Sequence, residues 1–147
     1  MPTAARLVAA LCFAAIAFLA SDSYKPLLPT GTNTRMFSEL NALLGAVIGW
    51  RVMGRLVGDG YQPAMASGLR TALTLMFYTL LVHSVYQMLK RSTRMVYDGV
   101  MDAIVSAFDL AVKYGTLMVT SPQVMAILLI GGVLAGLLAE WVSRRWS

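Results

Sequence analysis

GGVLAGLLAEWVSRRW, residues 131–146, is the stretch on which the reading of this chain turns. No charged residue lies between Lys113 and Glu140, and an uncharged run of that length exceeds the roughly 18–20 residues a helix needs to cross a bilayer core. Ser121 and Pro122 mark its start, as an N-cap hydroxyl followed by a proline at the first helical position, where no N–H is needed. Glu140, Trp141, Arg144, Arg145 and Trp146 mark its end with the rings and long cations that anchor a helix at headgroup level. Inside it, Gly132 and Gly136 lie one turn apart beside Ala135 and Ala139, a small-residue face that lets another helix come close. Glu140 continues that face, and a carboxylate at such a depth calls for a cation opposite.

The composition agrees. Of 147 residues, 58% are hydrophobic and 13% charged, against about one quarter charged in a soluble domain, so the chain is an all-α membrane protein. The net charge of +5 does not point to nucleic acid, because the basic residues are spread over segment ends, where they act as anchors and topology signals. The single cysteine, Cys12, lies in an apolar run and reads as a small hydrophobe.

Working outward, the first predicted span covers residues 4–20. Phe18 and Ala20 fit a cleavage site badly, so it is expected to stay as an uncleaved helix. Residues 21–35, with Pro26, Pro29 and Gly31, read as an irregular loop. The second span, residues 37–57, is unusual because eleven uncharged residues separate Glu39 from Arg51, which leaves a full crossing open. It carries two glycine pairs, Gly45 with Gly49 and Gly54 with Gly58. The third span, residues 64–89, has nineteen uncharged residues between Arg70 and Lys90 and crosses without difficulty. Its His83, among Tyr78, Ser84, Tyr86 and Gln87, reads as a hydrogen-bonded interior residue. The ten methionines form no spaced cluster around it that would suit copper. The fourth span covers residues 122–143.

Over residues 98–119 the polar side chains Asp98, Asp102, Ser106, Asp109 and Lys113 fall in one quadrant of a helical wheel, and the rest is largely apolar. That pattern predicts an amphipathic helix in the membrane interface or packed on the bundle. The expected architecture is therefore about four transmembrane helices plus one interfacial helix, with both termini in the cytoplasm. No phosphate-binding loop, CxxC, HExxH or serine-nucleophile context is present, so neither enzyme activity nor a cofactor or metal is expected.

Several phrases are distinctive: PTAARLVAALCFA near the start, YKPLLPTGT at residues 24–32, NALLGAVIGWRVMG at 41–54, YDGVMDAIVSAFDLAVKYG at 97–115, and the closing GGVLAGLLAEWVSRRW. In this order, over nearly the whole length, they resemble the bacterial tellurite-resistance TrgA family of small membrane proteins. The resemblance implies a multi-pass protein of the bacterial inner membrane with a part in resistance to tellurium oxyanions. It supplies no active-site residues. From the residues themselves, Arg51 and Arg55, one turn apart, are the internal cation pair suited to an anion. Gly45, Gly49, Gly132 and Gly136 are expected to pack the second helix on the last. Glu140 is expected to pair with Arg51 across helices, or with Arg144 one turn along its own. The alternative function is an accessory subunit that binds a larger respiratory or photosynthetic complex, or a second copy, through its glycine faces. The lipid bilayer is a partner in either case.

Overall fold

The structure is a computed structural model that describes residues 3–27 and 36–146. Every regular element among them is helical. The helices are α1 (Thr3–Tyr24), α2 (Phe37–Ile48), α3 (Tyr61–Ser92), α4 (Val100–Thr120) and α5 (Pro122–Arg145). Four of them, Thr3–Leu27 with its short 3₁₀ end, α3, α4 and α5, are long and apolar enough to cross a membrane. The protein is a multi-pass, all-α membrane protein.

The predicted loop at residues 21–35 starts later than expected, because α1 continues to Tyr24 and a 3₁₀ turn follows at Lys25–Leu27. Asp22 stays in the helix by pairing with Lys25 at 3.0 Å and accepting from Ser38 Oγ at 2.7 Å. The rest of that predicted loop, residues 28–35, lies outside the described residues.

Helix α2 does not stop at Ile48. It passes through a π-helical turn at Gly49–Met53 into a last turn at Gly54–Leu56. Gly45 lies against Phe13 and Ala17 of α1, Gly49 against Ala9 and Phe13, and Gly54 against Arg6. In a regular α-helix a residue five positions on lies about 140° around the axis, so Gly54 would face away from α1. The π turn, in which the Gly54 N–H donates to the Gly49 carbonyl, brings it back onto the face shared by Gly45 and Gly49. The same contacts fix α2 antiparallel to α1 along most of its length.

The sequence paired the two glycine faces with each other, and the structure corrects this. Gly132 and Gly136 of α5 meet Ala64, Gly68 and Ala72 of α3, not α2. Helix α5 also packs on α1, where Gly131 receives Ile16. Both glycine faces are tight helix contacts as expected, but each has its own partner. The reason is that α1 and α3 carry small faces of their own: Ala9 and Ala17 on one, Ala64, Gly68 and Ala72 at four-residue spacing on the other.

Directions along α3 settle how the chain crosses. Arg144 lies over Tyr61, Gly136 meets Ala64, and Gly132 meets Ala72, so α5 is antiparallel to the first two thirds of α3. Gly115 of α4 lies on Leu80, and Met118 lines a small cavity with Leu75, Met76 and Thr79, so α4 is antiparallel to the last third. Helices α4 and α5 therefore point the same way, end to end, with Ser121 alone between them. Each is long and apolar enough to span by itself, and both lie along α3, whose 32 residues reach about 48 Å.

Helix α4, predicted as interfacial or bundle-packed, is thus packed on α3. Its seam is narrow, with Leu110, Tyr114 and Met118 buried at four-residue spacing. Ser121 and Pro122 fill the predicted roles of N-cap and first helical position of α5.

Substitutions separate the tight contacts from open positions. Gly68→Ile and Gly136→Ile place side chains onto the facing backbone and should each destabilise the protein by about 1–3 kcal/mol or more. Gly99→Ala, which meets nothing within 4 Å at an extended φ of −168°, should change stability by less than about 0.5 kcal/mol. Unfolding in mixed detergent micelles reads both.

Candidate functional site

Polar side chains inside the bundle gather at its two ends. At the end where α1 begins and α5 finishes, the centre is Glu140, which is fully buried. Its position follows from the α3–α5 contact. Gly132 and Gly136 hold α5 against the start of α3, and Glu140, one turn further on, is carried under the turn that joins the α2 segment to α3. Gly58 (φ +113°) and Gly60 (φ +120°) adopt backbone conformations that residues with a Cβ rarely take, and so aim their N–H groups inward. Gly58 N donates to Glu140 Oε2 at 2.6 Å and Gly60 N donates to Oε1 at 3.0 Å. Arg144 Nε donates to Oε1 at 3.0 Å, and its guanidinium lies 4.9 Å over the Tyr61 ring.

This decides between the two expected partners of Glu140. The local pair with Arg144 forms, and the interhelical pair with Arg51 does not. Arg51 is exposed, because the π turn that brings Gly54 onto α1 leaves Arg51 on the outer surface. Arg55 is exposed as well, and neither forms an ion pair with a described residue. The sequence reading missed that the carboxylate's interhelical partners are backbone N–H groups. The signal was present in the GDG sequence at residues 58–60, which marks a turn with left-handed glycines.

At the opposite end a second polar chain runs between three helices. His83 Nε2 lies 2.7 Å from Asn41 Oδ1, so the imidazole donates there. Asn41 Nδ2 donates to Ser21 Oγ at 2.7 Å, and Ser21 Oγ donates to the Ala17 carbonyl at 2.6 Å. Phe37 stacks between the His83 ring, at 4.4 Å, and the Tyr24 ring, at 6.0 Å. Tyr24 in turn donates to the Tyr114 carbonyl at 3.0 Å, which ties the end of α1 to α4. His83 is the hydrogen-bonded interior residue the sequence predicted. Ser21 and Asn41 were missed, although an asparagine inside the apolar run NALLGAV is itself a sign of a buried partner.

Every donor in this chain points one way and the last acceptor is a helix carbonyl, so it ties α3, α2 and α1 together. Among the described residues no cluster of three or more His, Cys, Asp or Glu side chains could hold a metal ion. Cys12 is half-buried and packs against the core. The cavity beside the chain measures about 30 Å³ and is bounded mostly by Ala17, Ala20, Leu75, Val124 and Leu128, room for about one water-sized molecule.

No family model matches the chain, and neither a curated protein nor a solved structure matches it.

Removing the Glu140 carboxylate leaves two glycine N–H groups of the turn without their acceptor. Glu140→Ala should cost on the order of 2 kcal/mol or more in detergent unfolding, while Arg144→Gln, whose side chain is 55% exposed, should cost less than about 1 kcal/mol. Adding Arg51→Glu to Glu140→Arg should restore nothing. At the other end, Asn41→Leu leaves His83 Nε2 without its acceptor and removes the donor to Ser21 Oγ, and should destabilise by about 1–3 kcal/mol, with His83→Leu in the same chain recovering part of that loss.

Proposed function

We propose that this chain is a non-enzymatic protein of the bacterial inner membrane that contributes to resistance to tellurium oxyanions. The observation that carries the reading is the similarity of phrases, in order and over nearly the whole length, to the tellurite-resistance family of small membrane proteins. Its chemistry fits an anion at one end of the bundle. Arg51 and Arg55 are exposed there without a carboxylate partner among the described residues, and Arg144 and Arg145 lie on the same end. Helices in backbone contact at the glycine faces leave little room between them there. The oxyanion would be met at the cationic surface.

A strain deleted for this chain should grow poorly on tellurite and recover with the wild-type copy, while Arg51→Gln with Arg55→Gln should recover less at equal membrane abundance. Unchanged tellurite sensitivity on deletion would sink the reading. The accessory-subunit reading loses the glycine faces, since α1 and α3 occupy them. What it retains is the exposed apolar side of α4, where Met101, Val105, Phe108 and Val112 are each more than half exposed. Co-purification of a respiratory or photosynthetic complex in mild detergent would favour it.

A further inference from the structure

The turn between α3 and α4 carries chemistry that neither end of the bundle uses. An apolar stripe, Leu73, Phe77, Leu81, Val85 and Leu89, runs up the outside of α3 at four-residue spacing, every member at least 38% exposed. The stripe lies within the uncharged residues 71–89 and ends directly before Lys90. Lys90, Arg91 and Arg94 crowd the end of α3, and none forms an ion pair with a described residue. Directly beyond them the chain turns, with Arg94 N donating to the Arg91 carbonyl and Met95 N to the Ser92 carbonyl. Met95 takes a left-handed φ of +53° and is 93% exposed. Val96, Val100 and Met101 follow at 62%, 79% and 73%.

Three cations beside protruding apolar side chains fit the boundary between phosphate groups and acyl chains, where cations meet headgroups and apolar chains dip inward. The acids nearby are Asp98 and Asp102, both exposed. Further down α4, Asp109 and Lys113 have opposite charges one turn apart. We propose that this turn, residues 90–101, sits in the headgroup layer and binds anionic phospholipid through Lys90, Arg91 and Arg94, with Met95 as its apolar anchor. The surface is distinct from the arginine end invoked for oxyanions, and the proposal holds whether or not that function does.

The full-length protein in nanodiscs of phosphatidylglycerol and phosphatidylcholine tests it. A spin label on Met95→Cys, in a Cys12→Ser background, should report the depth of the headgroup layer. Native mass spectrometry should show phosphatidylglycerol retained over phosphatidylcholine. That preference should fall by about fivefold per cation removed in the series Lys90→Gln, Arg91→Gln, Arg94→Gln, and should weaken at high salt. A label in bulk water, or a lipid preference unaltered by all three substitutions, overturns the proposal. Spin–spin broadening between labels of two copies would overturn it too, by assigning the surface to a second copy.

Discussion

Helices in this bundle are held by backbone approaching backbone, and the rest of the structure depends on that contact. In lipid the acyl chains are as apolar as leucine, so no hydrophobic force drives helix onto helix, and packing must come from close van der Waals contact. Gly45 and Gly49 give α2 that approach to α1, and Gly132 and Gly136 give it to α5 against α3. The large apolar side chains are left for the outside, where Leu11, Leu43, Phe77 and Ile130 are each more than 60% exposed. A soluble bundle would be built the other way round.

The polar clusters follow from this packing. Glu140 can be fully buried because the α3–α5 contact delivers it to a turn whose N–H groups already point inward. A carboxylate that accepts from two backbone amides and an arginine has most of its hydrogen-bonding capacity filled, and without those partners its burial would be costly. Asn41 plays the corresponding part at the other end, with both functions of its amide engaged between His83 and Ser21. Each cluster joins elements distant in sequence, so it fixes the relative height of helices that glycine contacts alone would leave free to slide.

How much of this was legible in the sequence depends on the kind of information each feature carries. The number and type of elements were readable, because uncharged length and small-residue spacing are local properties. Ser121 and Pro122 were readable for the same reason. Partners were not. A GxxxG step says that something comes close without saying what, and the alanine faces of α1 and of Ala64–Ala72 look like ordinary membrane composition. The exposure of Arg51 was hidden because a π turn follows from the α1 contact rather than from any residue signal. The glycine N–H partners of Glu140 were missed because backbone donors do not show as a charge. The helical wheel of α4 showed its polar quadrant but left interface and bundle both open, because a wheel does not tell which neighbour the remaining faces meet.

The longest uncharged stretch of the chain is interrupted by a break at Ser121. Residues 114–139 hold no charge, and as one straight helix they would extend about 39 Å, well beyond a core of about 30 Å. The run is divided. It contains the end of α4, then Ser121, then most of α5. Proline at position 122 cannot donate an N–H to the preceding turn and disfavours helical backbone at the residue before it, and Ser121 accordingly has an extended ψ of 110°. A break within an apolar bundle is tolerable only if its freed polar groups find partners, and hydroxyls at the break supply several. Thr120 Oγ1 donates to the carbonyls of Thr116 and Leu117, Ser121 N donates to the Met118 carbonyl, and Val124 N donates to Ser121 Oγ. The two short helices can then lie along one long one, each with its own seam, and α4 gains a tether to α1 through Tyr24 and Tyr114 that a continuous helix would not need.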